Sequence, residues 1–379
     1  MSQESPKRPL VPDYVARLRA YQPGLTHDEI RERFGLEHVV KLASNESPLG
    51  PSPAAIDALR DSATLVHRYP RSNRSQLIEE LAEKFKLSTD NIVLGAGSES
   101  IMACIVRAFL LDDDEAITSE GTFLGFNVLA ASRGIKIISV PQREGYRFDL
   151  DAIVDRINAH TKLIYVANPN NPTGTYVRTR EFEKFVGRVP KNVLVIWDEA
   201  YFEYAEKLPD FPDSMKYRFD NVITLRTFSK AYALAGVRLG YGLAHDQLIE
   251  NIRKVRLPFE PSIPALMAGA AALDDVEHLS TSLALNAEEM PSLRARLESL
   301  GFKTVPSAAN FVMVPCESEE IAQTVVEKLL VRGVIVRGLR PFGFPSAFRI
   351  TVGTTKENEF LMTELRKVVA ENPGLGLGI

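Results

Sequence analysis

The sequence predicts an α/β fold, a doubly wound sheet joined to a smaller α+β domain, and its patterning gives three reasons. Seven strand-like runs recur through the middle of the chain: NIVLG, EAITSE, IKIISV, KLIYVA, NVLVIW, NVITL and LGYGLA. Amphipathic segments such as SQLIEELAEKF and EFEKFVGRV lie between them, with apolar residues at helical spacing. Strands that alternate with helices form sheets covered on both faces. The strand runs are also flat in polarity, as NVLVIW is, so neither face of such a strand is expected to meet water.

Taken in chain order, the N-terminal stretch MSQESPKRPLVPDY has neither an apolar core nor a cleavage-like site. NIVLG runs into the glycine-rich turn GAGSES and then an apolar helical pattern through FL at 109 and 110. The free N–H groups of Ser98 and Glu99 at that helix start, with Ser98 read as its cap, would welcome an anion. KLIYVA ends in NPNNPTG, whose prolines exclude regular helix and whose Gly174 permits a sharp turn, so the amide of Asn171 sits on a stiff loop. NVLVIW ends in Asp198, and NVITLRTF is followed at once by Lys230. RLPFEPSIPAL, with three prolines, breaks the pattern before a long helical region. Beyond about residue 286 come a helix through MPSLRARLESL, strands in NFVMV, VIVRG and FRITVG, and closing helices, which read as the smaller domain.

Chemistry concentrates where strands end, the edge at which open α/β sheets bind ligands. A lysine at a strand end is usually a solvated charge, so the neighbours of Lys230 decide its reading. Thr227, Ser229 and Arg238 supply hydroxyls and a permanent cation, the equipment for a phosphate. Asp198 supplies the carboxylate that keeps a pyridine nitrogen protonated, and Asn171 and Tyr201 supply donors for a ring oxygen. An amine, a phosphate grip and a carboxylate together suggest pyridoxal 5′-phosphate.

The sequence resembles the fold-type I pyridoxal-phosphate-dependent aminotransferases, and within them the histidinol-phosphate aminotransferases. YQPG, KLASNESPLGPSP, RYP, NPNNPTG, DEAY, TFSKAYALAGVRLGYG and GVIVRGLRPFGFPSAFRITVGT occur in that family's order and approximate spacing. The resemblance implies a large domain with a mostly parallel seven-stranded sheet flanked by helices, residues 49–275. A small domain would combine residues 1–48 with 276–379. It implies that Lys230 carries the cofactor and moves the substrate proton. Ser98, Glu99, Thr227, Ser229 and Arg238 would hold the phosphate, and Asp198, Asn171 and Tyr201 the ring. Tyr69 would reach the phosphate from the other subunit of a homodimer. Arg349 and Arg337 would meet the substrate's anionic groups, and Tyr21 would close over its side chain.

The chain departs from the family in places. Gly121 stands where a proline is usual, Ser100 where an acid is common, and Ser47 where asparagine is usual. Phe126 is expected to stack on the cofactor ring, with Phe123 as the competing choice.

The activity implied is transamination of L-histidinol phosphate with a 2-oxo acid, 2-oxoglutarate. An aromatic aminotransferase sharing the mechanism, and a decarboxylase of amino-acid phosphates, are the alternatives. A binding module that has lost catalysis is disfavoured, because the cofactor residues are all present. With 45 basic and 49 acidic side chains the net charge is −4, and basic residues are interleaved with acidic ones, so no nucleic-acid partner is expected. No apolar run is long enough for a membrane span. Two cysteines, Cys104 and Cys316, and six scattered histidines predict neither a disulfide framework nor a metal site. A cytoplasmic enzyme is expected.

Overall fold

The computed structural model describes residues 10–18, 26–372 and 375. Its strands are β1 (Val40–Lys41), β2 (Ile92–Gly95), β3 (Glu115–Ser119), β4 (Lys136–Val140), β5 (Thr161–Ala167) and β6 (Leu194–Asp198). They continue with β7 (Val222–Thr227), β8 (Gly240–Leu243), β9 (Phe311–Pro315), β10 (Val334–Ile335), β11 (Arg337–Gly338) and β12 (Ala347–Thr351). The seven strand-like runs of the sequence are β2 to β8, and they form one sheet in the order β2-β8-β7-β6-β5-β3-β4. Only β8 runs against its neighbours. The carboxyl ends of β2, β3, β5, β6 and β7 therefore share one edge, and the loops after them emerge together.

Both faces of the sheet are covered, which is why its strands lack polar alternation. Successive residues of β5 go to opposite sides: Leu163 and Tyr165 pack with Ile101, Met102 and Ile105 of the helix Ser98–Phe109. Ile164 and Val166 pack with Phe182 and Phe185 of the helix Thr179–Arg188. Burying each such aliphatic or aromatic side chain contributes roughly 1.5–3 kcal/mol.

The prolines of RLPFEPSIPAL separate the helix Asp246–Val255 from Ile263–Asp274, whose first turn holds Pro264 and whose cap Ser262 accepts the Ala265 N–H at 3.3 Å. The helix expected through MPSLRARLESL is longer than the reading from sequence. It spans Val276–Ser299 with Pro291 inside it, because the helix-forming stretch SLALNAEEM precedes the proline.

The rest of the chain builds a second core. A three-stranded antiparallel sheet, β11-β12-β9, packs under Val276–Ser299, Glu319–Leu330 and Thr355–Glu371. Val40 and Leu42 from the N-terminal part enter that core beside Val312 and Phe348, and β1 pairs in parallel with β10. Leu42 accepts the Thr351 N–H at 2.8 Å, which places the next residues, Ser44 and Asn45, against the edge of the large sheet. Among the described residues no helix is long and apolar enough to cross a membrane, and no cluster of three or more His, Cys, Asp or Glu side chains could hold a metal ion.

Candidate active site

A cavity of about 170 Å³ opens at the shared carboxyl edge, and each of the five loops there contributes to its wall. One water needs only about 10–15 Å³ of such space, so the cavity suits a substituted ring rather than a single ion. Ser98, Glu99, Asn171, Asp198, Tyr201, Thr227, Ser229, Lys230 and Arg238 all line it.

The end after β2 and β7 is built for an anion. The helix Ser98–Phe109 starts with Gly97 as its cap at φ 83°, and Ser98 is its first residue rather than the cap expected from sequence. A Cβ at 97 would lie 2.6 Å from Arg238 Nη2, so a side chain there would displace the guanidinium. The helix therefore presents bare N–H groups directly beside a guanidinium. Arg238 itself sits at φ 60°, with Nη1 donating to Ala235 O at 3.0 Å. Thr227 Oγ1 donates to Ser229 Oγ at 3.0 Å and accepts the Ser229 N–H at 3.1 Å, which fixes both hydroxyls at the strand end. Ser100, one of the departures, turns back to Gly97 O at 3.4 Å.

The opposite end carries the carboxylate. Asp198, the last residue of β6, is buried, and its Oδ1 accepts the Ala200 N–H at 3.1 Å while Oδ2 accepts the Tyr165 hydroxyl at 2.8 Å. Burial pushes its carboxyl up to about 6, against the pull of Tyr165 and Ala200. Glu199, the next residue, faces away and is held by buried Arg226, whose Nε and Nη2 donate to Glu199 Oε2 at 2.9 and 2.7 Å.

Lys230 is half-buried, three residues beyond β7, and its Nζ donates to Ser44 O at 3.2 Å. Burial, with the nearby Arg349 and Arg238 cations, pushes its amine down to about 8, so a neutral nucleophile is accessible near neutral pH. The Tyr201 hydroxyl accepts from Asn45 Nδ2 at 2.8 Å, so its own proton remains to be donated. Asn171 Oδ1 accepts from Arg349 Nη1, which leaves the Nδ2 end to donate.

Several expected residues lie elsewhere. Phe126 does not line the cavity: it is on the buried face of the helix Leu124–Ser132, stacked on Tyr165 at 4.5 Å and 6°. Phe123, the cap of that helix, lines the cavity instead. Arg349 is buried in β12 and also donates to Ala43 O at 2.7 Å. Arg337 is its half-buried cross-strand partner in β11, a register that puts both side chains on one face of the sheet. Tyr69 is 76% exposed and stacks on Phe259 at 4.1 Å, away from the cavity. Tyr21 lies outside the described residues. Ser47 Oγ pairs with Ser282 Oγ at 3.2 Å, tying the N-terminal segment to Val276–Ser299. Gly121 is explained by packing, since a Cβ there would meet Phe344 Cζ at 2.1 Å.

Sequence reasoning missed Tyr165 and Asn45. Tyr165 is an aromatic in an apolar run, with no local signal, whereas Asn45 carries one, as a polar amide in the motif ASNES.

The residues fit pyridoxal phosphate. A cradle of N–H groups and a cation, which a Cβ at 97 would fill, lies at one end, a buried carboxylate at the other and an amine of lowered basicity between.

The comparisons agree with that fit. The chain matches the family described as aminotransferase class I and II over residues 37–365. It is 42% identical over 363 residues to the histidinol-phosphate aminotransferase of Anaeromyxobacter sp. (strain Fw109-5), covering 95% of this chain and 99% of that one. It is 38% identical to the histidinol-phosphate aminotransferase of Moorella thermoacetica (strain ATCC 39073 / JCM 9320), over 94% of this chain and 92% of the other. Among solved structures, the Sinorhizobium meliloti histidinol-phosphate aminotransferase, in complex with pyridoxal-5′-phosphate, superposes with a TM-score of 0.87 at 28% identity, covering 96% of this chain and 98% of that one. A match of this length, with the lysine, carboxylate and anion cradle in one cavity, makes the chain a member of the class I and II aminotransferase family, to which it belongs together with the histidinol-phosphate aminotransferases it resembles from end to end.

Proposed function

We propose that the protein is a pyridoxal-phosphate-dependent aminotransferase of histidine biosynthesis. It converts L-histidinol phosphate and 2-oxoglutarate into imidazole acetol phosphate and L-glutamate. The observation that carries this reading is the convergence of Lys230, Asp198 and Arg238 on one cavity, in a chain 42% identical to a histidinol-phosphate aminotransferase. The bound cofactor supplies an aldehyde that takes up the amino group and a protonated ring that accepts the electron pair released at Cα.

The side chains supply the rest. Ser98 and Glu99 N–H groups, Thr227, Ser229 and Arg238 anchor the phosphate, and Asp198 holds the proton on the ring nitrogen. Asn171 Nδ2 and the Tyr201 hydroxyl donate to the ring oxygen, and Phe123 covers the ring face. Lys230 Nζ, lowered towards neutrality, takes the proton from the substrate Cα and returns it to the neighbouring carbon. Arg349, with Arg337 beside it, meets the substrate's carboxylate or phosphate. Tyr69 completes the phosphate grip across a homodimer seam, a role its exposure in the single chain accommodates. The same reading places residues 49–275 in the cofactor domain and 1–48 with 276–379 in the small one, in keeping with Val40 and Leu42 in the second core. Its setting is the cytoplasm.

The test is rapid-mixing absorbance with L-histidinol phosphate, phenylalanine or threonine phosphate as amino donor. Fast conversion of the cofactor spectrum by histidinol phosphate alone is the expected outcome. Conversion by phenylalanine but not by histidinol phosphate overturns the substrate.

A further inference from the structure

Ala167 of β5 lies directly opposite Asp198 of β6 in the parallel ladder. Tyr165, two residues earlier, is on the same face and diagonal to Asp198, a distance that only a long side chain spans. The small Ala167 leaves that path open. The Tyr165 ring is fully buried, and Phe126 lies flat against it at 4.5 Å and 6°, so the phenol is held in the one pose that puts its hydroxyl 2.8 Å from Asp198 Oδ2. This also gives Phe126 a task, although it does not reach the cavity.

From this geometry we propose that Tyr165 is a positioning residue for Asp198: its hydroxyl fixes the direction of the carboxylate and keeps it a proton acceptor for the cofactor's ring nitrogen. The proposal rests on the cofactor reading above. Each carboxylate oxygen accepts two hydrogen bonds, so Tyr165 on Oδ2 and Ala200 N–H on Oδ1 leave capacity for the ring.

The need for such a donor follows from the surroundings. Burial and the Glu199 charge disfavour the ionised carboxylate, whereas Tyr165, the Ala200 N–H and the Lys230 cation favour it. A protonated Asp198 would donate to the ring nitrogen and could not hold a proton there. Tyr165 cannot reverse its role, since burial and Asp198, with Tyr201 and Glu99 also facing it, push its own ionisation far above the ordinary range. It remains a donor throughout the working pH.

The test is Tyr165→Phe, which keeps the stacked ring and removes only the hydroxyl. In the apoprotein, difference infrared spectroscopy of ¹³C-carboxyl aspartate, with Asp198→Asn assigning the band, follows the titration of this one carboxyl. Loss of one hydrogen bond to a buried charge moves its midpoint upward by about 1–2 pH units. In the holoenzyme, the ¹⁵N resonance of labelled cofactor moves towards the unprotonated position, and kcat falls more than KM changes. An unshifted carboxyl midpoint, or an unshifted ring-nitrogen resonance, overturns the proposal. Failure of the wild-type protein to bind the cofactor overturns instead the function on which it rests, and the apoprotein titration separates the two.

Discussion

Replacing Gly97 with alanine isolates the anion cradle. The new Cβ would lie 2.6 Å from Arg238 Nη2 and 3.3 Å from its Cζ, and the backbone at 97 holds φ 83°. The atoms in the way belong to the end of a flexible side chain, so the guanidinium swings aside and the helix stays. Two separate costs follow. With ψ 162° this backbone lies in a region essentially confined to glycine, which costs about 1–3 kcal/mol, and that cost falls on folding. The displaced arginine forfeits a charge-assisted contact of about 1.5–3 kcal/mol, and that loss falls on cofactor binding. In affinity it corresponds to about a 10- to 150-fold rise in the dissociation constant. The assay is titration of the apoprotein with pyridoxal phosphate, read from the fluorescence of Trp197, the single tryptophan, which is buried next to Asp198 in β6. In an Arg238→Ala background the same glycine substitution should change affinity by no more than about twofold, because the group it displaces is already gone. Equal losses in both backgrounds, or none in a folded Gly97→Ala protein, would refute the cradle.

Other residues give independent checks. Gly121→Ala should lower the melting temperature through its collision with Phe344, and Phe344→Ala in the same chain should restore part of the loss, so additive losses would count against the packing account. The amine of Lys230 is pushed down to about 8, so capture of pyridoxal phosphate by the apoprotein should accelerate with rising pH and level off above about 8; a midpoint near that of free lysine would contradict its burial. The sign for stability is the same: between 8 and the ordinary lysine range the unfolded chain binds the extra proton, so the apoprotein gains stability from this group as pH rises. Arg226→Met leaves Glu199 and Asp213 facing each other without their shared cation, and should destabilise the fold by about 3–5 kcal/mol in urea unfolding. Tyr69→Phe should weaken cofactor affinity by about 10- to 150-fold if its hydroxyl reaches the phosphate across a dimer, and an unchanged dissociation constant would remove it from the site.

Local chemistry was readable along the chain. Lys230, Asp198 and Asn171 each follow an apolar run, and a strand end is where a polar side chain in such a run has somewhere to go. Their convergence needed only the assumption that parallel strands share a carboxyl edge. The seven strands were legible for the same reason, since a strand buried on both faces must be apolar throughout.

That uniformity also hid what the sequence does not carry. In the LIYVA of KLIYVA every residue is apolar or aromatic, so nothing marks Tyr165 as the one whose hydroxyl meets Asp198; the register with β6 decides it. Phe123 and Phe126 are equivalent by composition, and the helix beginning at Leu124 turns one to the cavity and the other to the core. Gly121 is a departure from a family pattern until Phe344, far along the chain, is seen to fill the space beside it. Arg349 is marked by its motif, but its contact with Asn171 appears only where β12 meets the loop after β5. Sequence alone determined the strands, the strand-end chemistry and the family, because these depend on residues adjacent in the chain. Tertiary structure decided which ring faces the cavity and which donor serves the carboxylate, because those contacts join residues that only the packed sheet and helices bring together.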